Sequence, residues 1–160
     1  MAMLFLVLIG CVSFHNHIEA GWIAGPVEGD VQHGGMALFT ISMTIDEDFY
    51  SIGGGGQVWG ADGTPSFAST VGADVWTEPM VDAPFGLRAQ GQLLIPIESP
   101  IFLPLGIAVR GGPYWSVLDD DVRVTLSAHG QLSVVGHPLV NGGAMAGIRW
   151  PTGALLNVGK

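Results

Sequence analysis

The chain is 160 residues long and poor in positive charge: it has five Lys and Arg, none of them before Arg88, and its only lysine is Lys160. Without a basic stretch it cannot neutralise a run of phosphates and release their counterions, which excludes nucleic acid as a partner and rules out polybasic docking on a membrane. Cysteine is nearly absent, and with Cys11 alone no intrachain disulfide can form. Charged residues of either sign make up only 12% of the chain, against roughly 25% in ordinary soluble domains. No window of a dozen residues carries a 3.6-residue apolar stripe, and ten prolines spread along the chain work against long helices.

Motifs of catalysis are missing too. There is no Gly-x-Ser-x-Gly nucleophile turn, and Cys11 sits in an apolar run where a thiolate is disfavoured. The glycines 53–56 are followed by Gln57-Val58-Trp59, not by the Lys-Ser/Thr of a phosphate-cradling loop. No enzyme activity and no cofactor are expected.

What the chain has instead is 48% hydrophobic residues and 25 glycines, enough apolar material for one full core and too much for disorder. Residues 1–160 therefore read as a single domain. The net charge of -9 lies wholly in the first half: residues 1–80 hold nine acids and no base, while residues 81–160 hold five acids and all five bases, 5 − 5 = 0.

Residues 1–20 form an apolar N-terminal segment. Met3 to Cys11 ends in Leu-Ile-Gly-Cys, which resembles the box cleaved and lipidated in bacterial lipoprotein precursors. No Lys or Arg precedes it, as a signal peptide requires, so a buried strand is the competing reading.

From residue 31 onward the dominant pattern is alternation with period two. Ala37, Phe39, Ile41, Met43 and Ile45 share one face, with Thr40, Ser42 and Thr44 on the other. Val122, Val124, Leu126, Ala128, Leu132 and Val134 oppose Arg123, Thr125, Ser127, His129, Gln131 and Ser133, and Leu87, Ala89 and Leu93 oppose Arg88, Gln90 and Gln92. Weaker strand candidates are 67–76, 103–111 and 144–150, and residues 152–160 read as a C-terminal tail. Turn formers fill the gaps, among them 46–48, 60–65, 78–84, 98–100, 119–121 and 137–143. The expected fold is all-β, an antiparallel sandwich or barrel of about 7–8 strands with little or no helix. Glycines 53–56 offer nothing to pack and read as a loop, a bulge or a point of close backbone approach.

The second face of these strands is the most informative feature. In a soluble sheet it would be rich in Lys and Glu; here it is Thr, Ser, Gln, Gly and His with an occasional Arg. Such a face suits the lumen of a barrel or a semi-polar contact between subunits. The residues singled out for either role are Arg88, Gln90, Gln92, Arg123, His129 and Arg149. Trp59, Trp76, Tyr114, Trp115 and Trp150 lie near strand ends and are expected to be outward anchors, either membrane-interface girdles or the buried aromatics of subunit contacts.

Metal sites are not expected. His15, His17 and Glu19 point the same way on a strand, but the glutamate is too close for the His-x-His pattern of cupin-type sites, and polar residues ending an apolar run read as a strand terminus. His33, His129 and His137 lack partners at a metal spacing. Asp46-Glu47-Asp48 and Asp119-Asp120-Asp121 lack the spaced oxygens of a calcium loop and read as solvated turns.

Three functional readings follow. The first is a non-enzymatic structural subunit of a larger assembly, a virion component such as a phage capsid decoration or tail protein, whose partners are other protein subunits in a homo-oligomer or a mixed shell. On this reading the acidic half faces solvent or meets an arginine-bearing surface of a neighbour. The second is a small bacterial outer-membrane barrel or envelope lipoprotein, the one reading in which a membrane is a partner. The third is a soluble barrel with a ligand inside.

Overall fold

The computed structural model describes residues 12–45, 50–61, 65–79, 83–97, 105–117, 122–134 and 140–152. These form eight strands: β1 (Val12–Val27), β2 (Asp30–Ile45), β3 (Tyr50–Ala61), β4 (Ser66–Trp76), β5 (Phe85–Pro96), β6 (Gly106–Val117), β7 (Val122–Ser133) and β8 (Val140–Pro151). Each pairs antiparallel with its neighbours in sequence, and β8 returns to pair with β1, so the sheet closes into an up-and-down barrel. Closure leaves no edge strand to be covered.

The geometry of the barrel can be read from its register. A line perpendicular to the strands runs from Ser13 through Thr44, Ser51, Asp74, Gln90, Arg110, His129 and Gly143 and comes back to β1 at Ile23. It returns 23 − 13 = 10 residues above its start. Ten residues at about 3.3 Å each, set against eight strands about 4.8 Å apart, tilt the strands by about 41° from the barrel axis. A strand of 12 residues, such as β7, then rises about 30 Å along the axis.

β1 and β2 are longer, 16 residues each, and their hairpin stands above the rim. It turns through Glu28 (φ 51°) and Gly29 (φ 98°), the two left-handed residues of a type I′ turn that matches the strands' own twist.

Glycine lets so small a barrel bend. A Cβ on inward-facing Gly55 would lie 1.8 Å from the carbonyl oxygen of Phe39, and one on Gly143 1.9 Å from that of Trp22. Glycines 53–56 are therefore neither a loop nor a bulge but the middle of β3, where the backbone passes close to β2.

The apolar faces of the alternating strands lie on the outside. Among the described residues, twenty-four large apolar side chains are at least 40% exposed, Phe14, Ile18, Leu126 and Ile148 among them. Inside, among the described residues, 23 buried polar or charged residues outnumber 11 buried apolar ones. An eight-stranded barrel encloses room only for its own inward side chains, and here that set is mainly hydrogen-bonding.

Of the N-terminal segment, residues 12–20 belong to β1, while residues 1–11, with the Leu-Ile-Gly-Cys box, lie outside the described residues. At the other terminus Pro151 ends β8, and the backbone N–H of Thr152 donates to the Phe14 carbonyl at 2.7 Å; the rest of the tail lies outside.

Candidate functional site

Alternation along eight strands sends Arg88, Arg110, Arg123 and Arg149 into the lumen, and these are all the arginines of the chain. Among the described residues the buried acids are Glu19 and Asp74. Gln90, Gln92 and His129 are inward as well and buried.

The half of the lumen near the chain termini is built on charge. Arg88 Nη2 donates to Glu19 Oε2 at 2.9 Å, and both side chains are fully buried. Arg88 Nη1 lies 2.8 Å from His17 Nε2, while Ser127 and Thr125 donate to the other oxygen of Glu19 at 3.1 and 3.4 Å. Above the termini-bearing rim, three guanidinium groups surround one indole: Arg149 lies 4.8 Å from the Trp76 ring, and Arg88 and Arg123 each 5.3 Å from it. Arg123 also lies over Tyr114, whose hydroxyl donates to the Thr77 carbonyl at 2.6 Å. Arg149 donates to Thr44 Oγ1 at 2.9 Å, and Ser51 donates to Asp74 at 3.3 Å.

The opposite half mixes amides with an apolar cluster of Ile23, Met36, Leu38, Trp59, Ala68, Leu94, Ala108 and Met145. Arg110 reaches into it and donates to Gln90 at 3.1 Å and to Gln92 and Gln57; its Nη2 also lies 3.9 Å from the Met36 sulfur. Gln57 in turn donates to Gln131, and His129 pairs with Asn141 at 3.1 Å. Side chains thus meet across the lumen in both halves, Arg88 with Glu19 in one and Arg110 and Gln131 with Gln57 in the other. Among the described residues, no three His, Cys, Asp or Glu groups converge to hold a metal.

The aromatic assignment needs correcting. Trp59, Trp76 and Tyr114 are not outward anchors: at 1%, 1% and 0% exposure they are lumen residues, placed there by strand parity, with Trp76 and Tyr114 stacked against arginines. Trp115 and Trp150 do face outward. They share the termini-bearing rim with outward-facing Phe14, Tyr50 and Phe85, all within three residues of their strand ends. Trp22 stacks on His33 near the other rim, at 5.4 Å.

Proximity to strand ends misled here, because an end position says nothing about which way a side chain points. His15, His17 and Glu19 are likewise not a strand terminus but the inward face of mid-β1. Their i, i+2 spacing carried that signal. Asp74 and Arg110 lie on weakly alternating strands and did not stand out from sequence. The acidic turns 46–48 and 119–121, and His137, lie outside the described residues.

No protein family matches the chain, and no curated protein is detectably similar in sequence. Among solved structures, the crystal structure of Neisserial surface protein A (NspA) is similar, with a TM-score of 0.68 over 88% of this chain and 99% of that one, at 13% sequence identity. That likeness extends to the fold, a closed eight-stranded antiparallel barrel.

Proposed function

We propose that the protein is a small integral barrel of the bacterial outer membrane, non-enzymatic, whose filled lumen serves as its structural core and not as a channel. One observation carries this reading. Among the described residues, no Asp, Glu, Lys or Arg points outward from any of the eight strands; the polar exceptions are Asn16, His33 and Ser69. A strand rise of about 30 Å matches the thickness of a bilayer's hydrocarbon region, and the ring of outward aromatics at one rim sits where interfacial girdles sit. A closed barrel also satisfies every strand's hydrogen bonds internally, as lipid demands. The fold's likeness to a Neisserial surface protein supports an envelope location.

The virion reading finds less support. A subunit in a shell buries one or two patches, whereas this exterior is apolar around its whole circumference, and a bilayer covers a cylinder on all sides at once. An arginine-bearing neighbour is not needed either, since Arg88 meets Glu19 within the chain. A soluble ligand-binding barrel would need an open interior and a polar exterior, and the packing here is the reverse of both.

The test is refolding. Diluted from urea into phosphatidylcholine vesicles, the chain is expected to form sheet structure and resist protease; diluted into buffer alone it should aggregate. A soluble, folded species in buffer without lipid or detergent would overturn the proposal.

A further inference from the structure

The lumen treats two neighbouring arginines differently. Arg88 on β5 has a carboxylate, Glu19, at 2.9 Å. Arg110 on β6 is 3% exposed, and its four contacts, Gln90, Gln92, Gln57 and the Met36 sulfur, are all neutral. Among the described residues it forms no ion pair, and Glu19 is already held by Arg88, Ser127 and Thr125. A buried guanidinium with no carboxylate in contact is costly, because neutral amides replace hydration only in part.

A second feature lies beside it. Three of the buried N–H groups without a hydrogen-bond partner belong to residues around Arg110: its own Nε, Gln131 Nε2 and Trp59 Nε1. They belong to one connected region. Arg110 hydrogen-bonds Gln57, and Gln57 hydrogen-bonds Gln131. Trp59 lies two residues from Gln57 on the same face of β3, opposite Met36 in the β2–β3 register, and Met36 is the residue whose sulfur Arg110 touches. Cation and orphan donors thus require the same thing, a small acceptor carrying one negative charge.

We propose that this half of the lumen binds a halide-sized monovalent anion, held by Arg110 with the Gln131 amide and the Trp59 indole. The one guanidinium at this cluster matches a single negative charge and not the double charge of an oxyanion such as sulfate. The site depends on the barrel interior alone, so it stands or falls separately from the membrane reading.

The experiment uses the full chain folded in detergent, with thermal unfolding followed in sodium bromide, sodium chloride and sodium sulfate at equal ionic strength. Binding to the folded state alone raises the midpoint by roughly 3–6 °C at ten times Kd. The rise is expected in bromide and chloride, not in sulfate. It should vanish in Arg110→Gln and persist in Arg123→Gln, which removes a different lumen cation.

Crystals of the unaltered protein soaked in bromide give a reading that needs no variant: an anomalous peak beside Arg110 is expected. Equal midpoints in all three salts, a halide effect that survives in Arg110→Gln, or bromide found only outside the lumen would each overturn the proposal.

Discussion

The inner and outer faces of the same eight strands obey opposite rules. On β7, Arg123, Thr125, Ser127, His129 and Gln131 are buried, while Val124, Leu126 and Leu132 between them are 40–52% exposed. In a water-soluble sheet those assignments would be exchanged. On the membrane reading proposed above, each side chain is placed according to what surrounds it: a narrow polar interior that must satisfy its hydrogen bonds, and an exterior solvent that offers none. On this comparison, charge is placed inside, most closely as the Arg88–Glu19 pair, and among the described residues no charged side chain points outward from a strand.

The largest effect should come from breaking the inner rule. Glu19→Ala leaves Arg88 buried without its carboxylate and is expected to cost about 3–5 kcal/mol in urea unfolding from bilayers. Replacing both partners, Glu19→Leu with Arg88→Met, should recover most of that, because no orphan charge remains. If the double variant is as unstable as the single one, the lumen is held by shape and not by charge pairing.

Next is the outer rule. Leu126 is 49% exposed near the middle of β7, and if the barrel spans a bilayer as proposed, Leu126→Arg should destabilise it there by about 2–4 kcal/mol. The same substitution at Val134, just past the end of β7 near the rim, should cost no more than about 1 kcal/mol. A cost independent of depth would remove the lipid from the explanation of the exterior.

Much of this comparison was legible in the sequence. Alternation in Val122 to Val134 and Ala37 to Ile45 located strands and separated their two faces, and the absence of lysine from the polar face distinguished it from an ordinary solvent surface. Period two cannot say which face points inward, since it is symmetric between a core-filled sandwich and a lumen-filled barrel. Nor could it place Trp59 and Trp76, where the neighbouring residues Val58 and Val75 make either parity look apolar. β1 was hidden because His15, His17 and Glu19 interrupt an apolar run. Only the closure of β8 onto β1 gives those three residues an interior to occupy.

The comparison also predicts how substitutions at adjacent glycines diverge. Gly55 faces inward, 1.8 Å from a backbone oxygen at its Cβ position, whereas a Cβ on outward Gly56 meets nothing within 4 Å. Gly55→Ala forces β2 and β3 apart and should cost about 1–3 kcal/mol. Gly56→Ala should be neutral or stabilise by about 0.4–1 kcal/mol through the unfolded chain. Equal effects at the two positions would mean that the close approach of β3 to β2 is not what requires glycine there.

The smallest perturbation changes no stability at all and reads the two faces directly. Brominated acyl chains quench indoles by contact, so in vesicles of brominated phosphatidylcholine the outward Trp22, Trp115 and Trp150 should be quenched, and the buried Trp59 and Trp76 should not. Trp115→Phe and Trp150→Phe would remove most of the quenching by bromines near the headgroups, since both lie at one rim, and Trp22→Phe would remove that of the other. Quenching of Trp59 equal to that of Trp115 would show that lipid reaches what has been described as lumen, and the division between the two faces would fail at its most apolar point.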